Sequence, residues 1–394
     1  MSENYADKHI FPDEIFDKKI SYQKATEVLN NDGKPYDEYG FHDENCDIEA
    51  IFYEGYKDTK VFAYLGIPKR NDKEKLPAII LQHGGLGKAK RDWVKRWNEW
   101  GFVAIAPDLY GCGPEEDADT ASGQKIHPYA GIMPWGKTGF LEDYKNSGMY
   151  QDIISVVNAH NILRSLPCVD CSKIGMTGIS WGGVVTTIAI GVDSRLAFAA
   201  PVYGCGHLAE TKTYFSHNIL DEGMTTQWDP AHFAAKAKIP VLYVNGDSDG
   251  HFSVDVSSAT CQDTPNAALA VYHKMEHGQV YGDSVQQIYT FAKNVVENRD
   301  TFIKITEVKQ EKNRFSVTAQ IPTGTQLKEA FLYYITTEEL HHNGGEEIGW
   351  QAVKAENTNG ENVTFTYPED ATFGYASLID KDGNIISTPF TKLK

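Results

Sequence analysis

The chain has 394 residues, 41% of them hydrophobic and 12% aromatic, which is enough apolar surface for a sizeable core and too much for general disorder. At this length one large and one small domain are expected. Its 37 basic and 54 acidic side chains give a net charge of −17, which repels phosphate backbones and anionic lipid surfaces, so no nucleic acid and no membrane is expected as a partner.

The first residues carry charge where a secretory signal needs an unbroken apolar stretch, and no later run reaches bilayer-spanning length; a cytoplasmic protein is expected. Residues 1 to about 50 are polar and aromatic with weak periodicity, and read as helical or irregular packing on the edge of the main domain. From about 60 to 296 short apolar runs alternate with helical patterns, the signature of βαβ units and a mostly parallel sheet. The predicted strands are Val61 to Ile67, Pro77 to Gln82, Phe102 to Pro107, Ile174 to Thr177, Ala197 to Tyr203, Pro240 to Asn245 and Ala268 to Tyr272. Helical spacing marks Met149 to Leu163 and Val285 to Val296.

Between Gly111 and about Asn146 the chain is rich in glycine and without period, and is read as a substrate-contacting insertion or lid. The pair Cys168 and Cys171 forms a CxxC, but no second pair stands at zinc-ligand spacing and a strand follows it, so a structural role and reduced thiols are expected. Past residue 300 the pattern changes to period two, with Phe315, Val317, Ala319 and Ile321 alternating with polar residues and turn signals at Asn359-Gly360 and Asp382-Gly383. The expected organisation is an α/β domain over 1–299 and an all-β sandwich, immunoglobulin-like or fibronectin-like, over 300–394.

Chemistry enters at Gly178-Ile179-Ser180-Trp181-Gly182, which lies between a predicted strand and the helical run Val184 to Ile190. A serine in so sharp a turn is strained and needs small neighbours, and the turn aims its hydroxyl out of the sheet at the positive end of the helix. The strand before Gln82 ends in His83-Gly84-Gly85-Leu86-Gly87, a glycine-rich loop whose N–H groups can face a substrate oxygen. Gly85 and Trp181 are the expected oxyanion donors, with His83 holding the loop. Two later strands run into Asp249 and His277, in the chain order serine, acid, histidine. Serine is a weak nucleophile at neutral pH; an imidazole must take its proton, and a carboxylate must fix the imidazole. Asp247 competes with Asp249, which is preferred because a short turn lets the carboxylate reach back under the histidine. His251 and His273 compete with His277, preferred because Gly278 frees its loop. The Asp-x-Asp-Gly run lacks the glutamate of a calcium loop, so no metal is expected. Met133, Trp135 and Trp228 are candidate substrate-lining residues.

Together, residues 169–183, the HGGLG loop, Ala106-Pro107-Asp108, Pro201 to Gly206, Val244-Asn245-Gly246 with Asp249, and Met275-x-His277-Gly278 resemble the acetyl xylan esterase-like and dienelactone hydrolase-like branch of the α/β-hydrolases. The resemblance spans about 60 to 296. It implies an α/β-hydrolase fold and a carboxylic ester hydrolase needing no cofactor, acting on a small ester such as an acylated oligosaccharide. Dienelactone hydrolases proper have cysteine where Ser180 stands, which disfavours that activity, and many xylan-processing esterases are exported. Two other readings compete. A prolyl oligopeptidase-like peptidase shares the residue order, although no propeller repeat is visible. A carbohydrate-binding protein would use the β domain, with Trp350, Tyr333 and Tyr334 against sugar rings. The sequence leaves the oligomeric state open, a homo-oligomer included.

Overall fold

A computed structural model gives the fold of the chain. It describes residues 6, 10–25, 40–69, 74–85, 87–113, 144–211, 213, 222–338, 340, 348–358 and 360–393. In chain order the first unit runs β1 (Tyr22–Lys24), β2 (Phe41–His42), β3 (Cys46–Glu54), β4 (Lys60–Pro68), β5 (Leu76–Gln82), α1 (Arg91–Glu99), β6 (Val103–Pro107), α2 (Gly148–Ser165), β7 (Val169–Ile179), α3 (Trp181–Val192), β8 (Phe198–Val202), α4 (Glu222–Thr226), α5 (Pro230–Ala234), β9 (Val241–Ser248), α6 (Val254–Asp263), β10 (Ala267–Glu276), α7 (Gln279–Asp283) and α8 (Gln286–Val296).

Its ten strands form one sheet in the order β1-β3-β4-β6-β5-β7-β8-β9-β10, with β2 beside β3. Pairing is antiparallel from β1 to β6 and parallel from β6 to β10. The central strands β5, β6 and β8 are buried along nearly their whole length. Helices cover both faces of the parallel part, which is why these strands read as continuous apolar runs in the sequence. Helix α1 turns Trp93, Val94 and Trp97 inward. Helix α2 starts at Ser147, whose hydroxyl accepts the N–H of Tyr150, and is buried on almost every side.

The amino-terminal segment departs in part from expectation. Residues 10–21 are irregular as expected, with one 3-10 turn at Asp13–Ile15 and Ile10, Phe11 and Ile20 packed on the core, but the rest of its described part supplies β1, β2 and β3, which extend the sheet antiparallel past β4. Strand β3 buries Cys46, Ile48 and Ala50 on alternate positions, then Ile51, Phe52 and Tyr53 together, so neither a period of two nor one of 3.6 stands out.

The carboxyl-terminal unit is antiparallel throughout: β11 (Lys304–Glu311), β12 (Arg314–Gln320), β13 (Leu327–Ile335), β14 (Gln351–Lys354), β15 (Asn362–Thr366), β16 (Phe373–Asp380), β17 (Ile385–Ser387) and β18 (Thr391–Lys392). One sheet is β11-β12-β15; the other is β14-β13-β16-β17, with β18 on β16. Phe315, Val317, Leu332, Tyr334, Phe365 and Leu378 close a second, separate core between the sheets. Because strand side chains alternate, Tyr333 and Tyr375 point the other way and pack into the first unit's core. The second unit thereby covers β10, the edge strand of the large sheet, whose unpaired backbone needs a partner. The Val271 N–H donates to Ser387 Oγ at 3.0 Å, and the side-chain amide of Gln287 exchanges two hydrogen bonds with the backbone of Ile385, each 2.8 Å. Among the described residues no helix is long and apolar enough to cross a membrane.

Candidate active site

Ser180 stands between β7 and α3 with φ 58° and ψ −119°, a left-handed backbone that a non-glycine residue holds only under strain. Its N–H donates to Val202 O at 2.9 Å and its carbonyl accepts from Val184 N at 3.0 Å, so both sides of the turn are tied down. The flanking glycines are required by close approach: a methyl at Gly178 would lie 2.1 Å from Gly182 O, and one at Gly182 would lie 2.2 Å from Gln82 O. The serine side chain does not cap α3. Instead Ser180 Oγ lies 2.8 Å from His277 Nε2.

His277 follows β10, and its Nδ1 lies 2.9 Å from Asp249 Oδ2. Asp249 follows β9 and is fully buried; its Oδ1 accepts the N–H groups of His251 at 2.7 Å and Phe252 at 2.9 Å, the short turn expected from the sequence. These partners set the tautomer: Nδ1–H donates to the carboxylate, leaving Nε2 as acceptor for the serine hydroxyl. The imidazole packs 4.8 Å from the Tyr203 ring and stacks on His251 at 4.1 Å. Burial, with the Asp249 charge beside it, pushes the Tyr203 phenol well above its ordinary range, so its OH stays protonated and donates to Glu276 O at 3.0 Å. That bond ties β8 to the residue just before His277.

Of the competing residues, Asp247 and His273 meet each other, Nδ1 to Oδ2 at 2.6 Å, at the junction with the β unit. His251 touches the site twice, through its backbone N–H on Asp249 and through its ring on His277. Among the described residues, Asp249, His251 and His277 form one group whose ligand atoms lie within 4.8 Å of one another. Both oxygens of Asp249 and both nitrogens of His277 are already engaged in hydrogen bonds, so a cation there would have to break the chain that reaches Ser180.

The loop after β5 comes against the serine at Gly84, where an added methyl would sit 3.3 Å from Ser180 Cβ. Gly85, the expected donor, is the next residue of the same turn. The N–H of Gly84 faces the side-chain oxygen of Gln279 at 3.4 Å. His83 holds this loop: its Nδ1 pairs with Gly84 O at 2.8 Å and its Nε2 accepts the N–H of Leu109 at 3.0 Å. Trp181 opens α3, where backbone N–H groups lack helical acceptors. Its indole N–H reaches Asp152 Oδ2 at 3.3 Å, and burial holds that carboxyl well above the usual range. Asp152 and Gln279 went unnoticed in the sequence, and Tyr203 entered only as part of a strand and of the family resemblance; the one mark Asp152 carries is that it is the single acidic residue of α2.

Trp228 is fully buried, stacked on Phe233 at 5.8 Å and edge-on to Phe11 at 6.4 Å. It packs in the core with no exposed surface to offer a substrate. Met133 and Trp135, with most of the 111–146 insertion, lie outside the described residues. Tyr333 and Tyr334 are buried, and Trp350 packs edge-on to Tyr375 at 5.3 Å while its indole N–H donates to Asp247 O at 2.8 Å. These three aromatics serve cores and the contact between units.

A sequence model described as acetyl xylan esterase (AXE1) matches residues 13–210, half of the chain. The match contains Ser180 and stops short of Asp249 and His277. Two solved structures share the fold. The acetyl xylan esterase from Paenibacillus sp. R4 superposes with a TM-score of 0.52 at 17% identity, covering 72% of this chain and 91% of that one. Acetyl xylan esterase 1 from Thermoanaerobacterium sp. JW/SL YS485 gives a TM-score of 0.50 at 17% identity, over 71% of this chain and 93% of that one.

Proposed function

From the premise that this chain belongs to the acetyl xylan esterase (AXE1) family and has the fold of an α/β-hydrolase, we propose that it is a serine carboxylic ester hydrolase working through an acyl-enzyme. The observation that carries the reading is the unbroken hydrogen-bond chain from Ser180 Oγ through His277 to Asp249, with links of 2.8 Å and 2.9 Å. Ser180 Oγ attacks the ester carbonyl carbon as its proton passes to His277 Nε2. Asp249, locked by two backbone N–H groups, holds the imidazole in the right tautomer and stabilises the imidazolium. The N–H groups of Trp181 and Gly85 are the donors assigned to the developing oxyanion. The imidazolium then protonates the leaving alcohol. Water, deprotonated by the same nitrogen, attacks the acyl-enzyme and frees the acid.

The substrate class we propose is a small acylated carbohydrate, with the acetyl esters named for the fold relatives as the leading case. Turnover of aryl acetates and acetylated oligosaccharides by the intact chain, lost in Ser180→Ala, is the expected result. Retained turnover in that variant would reject the assignment, and a preference for peptide amides over esters would move the reading to a peptidase.

A further inference from the structure

We propose that the carboxyl-terminal β unit positions the acid and base of the active site, and that Tyr375 and Trp350 do so by gripping Asp247. This rests on the reading of Ser180, His277 and Asp249 as a catalytic set. Asp247 lies two residues before Asp249 and is buried, yet it makes none of the contacts of that set. Its carboxylate gathers partners from two other strands, β16 and β10. Oδ2 accepts the Tyr375 OH at 2.9 Å and lies 2.6 Å from His273 Nδ1, while Oδ1 accepts the Lys274 N–H at 2.6 Å. Its backbone carbonyl accepts the Trp350 indole N–H at 2.8 Å. Burial beside this carboxylate keeps the Tyr375 phenol protonated, so it remains a donor.

These contacts bear on both catalytic strands. The Trp350 and Tyr375 bonds fix the end of β9, from which the chain turns directly into Asp249. The Lys274 bond fixes an irregularity in β10 between Tyr272 and Glu276, where Lys274 itself sits at φ 62°, three residues before His277. Gly246 seals the same junction, since a methyl there would lie 1.9 Å from Met275 O. A buried carboxylate with three good donors is held far more firmly than a loop in water, because each bond is charge-assisted and any lost partner leaves desolvated charge. Tyr375 and Trp350 touch no reacting atom; they are positioning residues acting through Asp247. The large sheet and the β unit are thus joined at a place where a small displacement would separate Asp249 from His277.

The test uses the full chain with Tyr375→Phe, which deletes a single oxygen, and Trp350→Phe at a partly exposed position in case the first does not fold. Gln287→Ala, which cuts two hydrogen bonds to Ile385 and one from the Tyr272 OH, none of them to Asp247, reports the cost of loosening the units without touching that carboxylate. Two readouts are followed: kcat and KM on an aryl acetate, and the low-field proton resonance of His277 Nδ1–H, assigned by its loss in His277→Gln. For Tyr375→Phe and Trp350→Phe we expect kcat to fall about tenfold at unchanged KM, as misplacement of a catalytic group does, with the resonance broadened and moved upfield. Gln287→Ala should lower the Tm and leave kcat and the resonance in place. An unmoved resonance with full kcat in the phenylalanine variants, or equal effects from Gln287→Ala, overturns the proposal. A wild-type chain that hydrolyses no ester would instead defeat the esterase reading, and the resonance alone would then decide the positioning role.

Discussion

Replacing Gly182 by alanine sets a methyl carbon 2.2 Å from the Gln82 carbonyl oxygen and 2.6 Å from both the Gln82 carbonyl carbon and the His83 carbonyl oxygen, all rigid backbone. A relaxed carbon–oxygen contact begins near about 3.3 Å, so the start of α3 and the end of β5 must part by about 1 Å. Neither side yields easily. Strand β5 is paired on both edges, by β6 and β7, and the turn at Ser180 is held by Val202 O and Val184 N. Overpacking of this kind costs about 1–3 kcal/mol of stability. The larger effect falls on rate, because the parted segments carry Ser180, the proposed nucleophile, on one side and the Gly84-Gly85 turn on the other. A displacement of about 1 Å between such groups costs on the order of 100-fold in kcat. The assay is aryl acetate turnover beside a thermal melt: a lowered Tm with a much larger proportional loss of kcat is expected. Unchanged kcat in a folded Gly182→Ala enzyme would refute the claim that this glycine sets the distance between serine and loop.

The strain at Ser180 makes a second prediction: Ser180→Gly and Ser180→Ala are both inactive, but the glycine variant is the more stable by about 1 kcal/mol in urea unfolding, since only glycine accepts that backbone freely. Equal stabilities would show the turn to be unstrained. Buried His160 faces Asp193 at 2.8 Å; burial lowers the imidazole's affinity for a proton, while Arg195 and His160 hold the Asp193 carboxyl well below its usual range. Below the ordinary histidine value of about 6.5 the unfolded chain takes up a proton that the folded chain refuses, so stability falls as pH drops through that window. His160→Gln should flatten that limb of the Tm–pH curve, and an unchanged slope would contradict the assignment. Burial raises the Cys46 thiol to about 11 and that of Cys261 to about 12. Cys46 is buried and Cys261 half-buried, so both should resist iodoacetamide at mildly alkaline pH until the chain is unfolded, and rapid labelling of the native protein would contradict the raised thiols.

The parallel strands were legible because a strand buried on both faces is a run of apolar residues, as in Pro77 to Gln82 and Phe102 to Pro107. Polar interruptions hid the rest. Strand β7 begins at Val169, ahead of its apolar run, because Asp170 to Lys173 lie where the strand is still partly exposed. Strand β10 continues through an irregularity to Glu276 and so carries His273 inside it. The three-residue β1 has no pattern to read. Spacing brought Ser180, Asp249 and His277 into view because each follows a strand into a short loop at one rim. Asp247 gave no such sign: its partners Tyr375 and Trp350 lie more than a hundred residues away, and only the alternation of β13 and β16, one face to each core, reveals that a tyrosine must leave the sandwich. Trp228 misled because an aromatic in a loop-rich segment looks the same whether it meets substrate or Phe233.

The most direct measurement is to quench the intact enzyme early in its reaction with an aryl acetate and locate the acyl group by peptide mass spectrometry. One acetyl group on the peptide bearing Ser180, absent from Ser180→Ala and longer-lived in His277→Ala, is the predicted result. An acyl group on another residue, or full turnover with none trapped even in His277→Ala, would contradict the account.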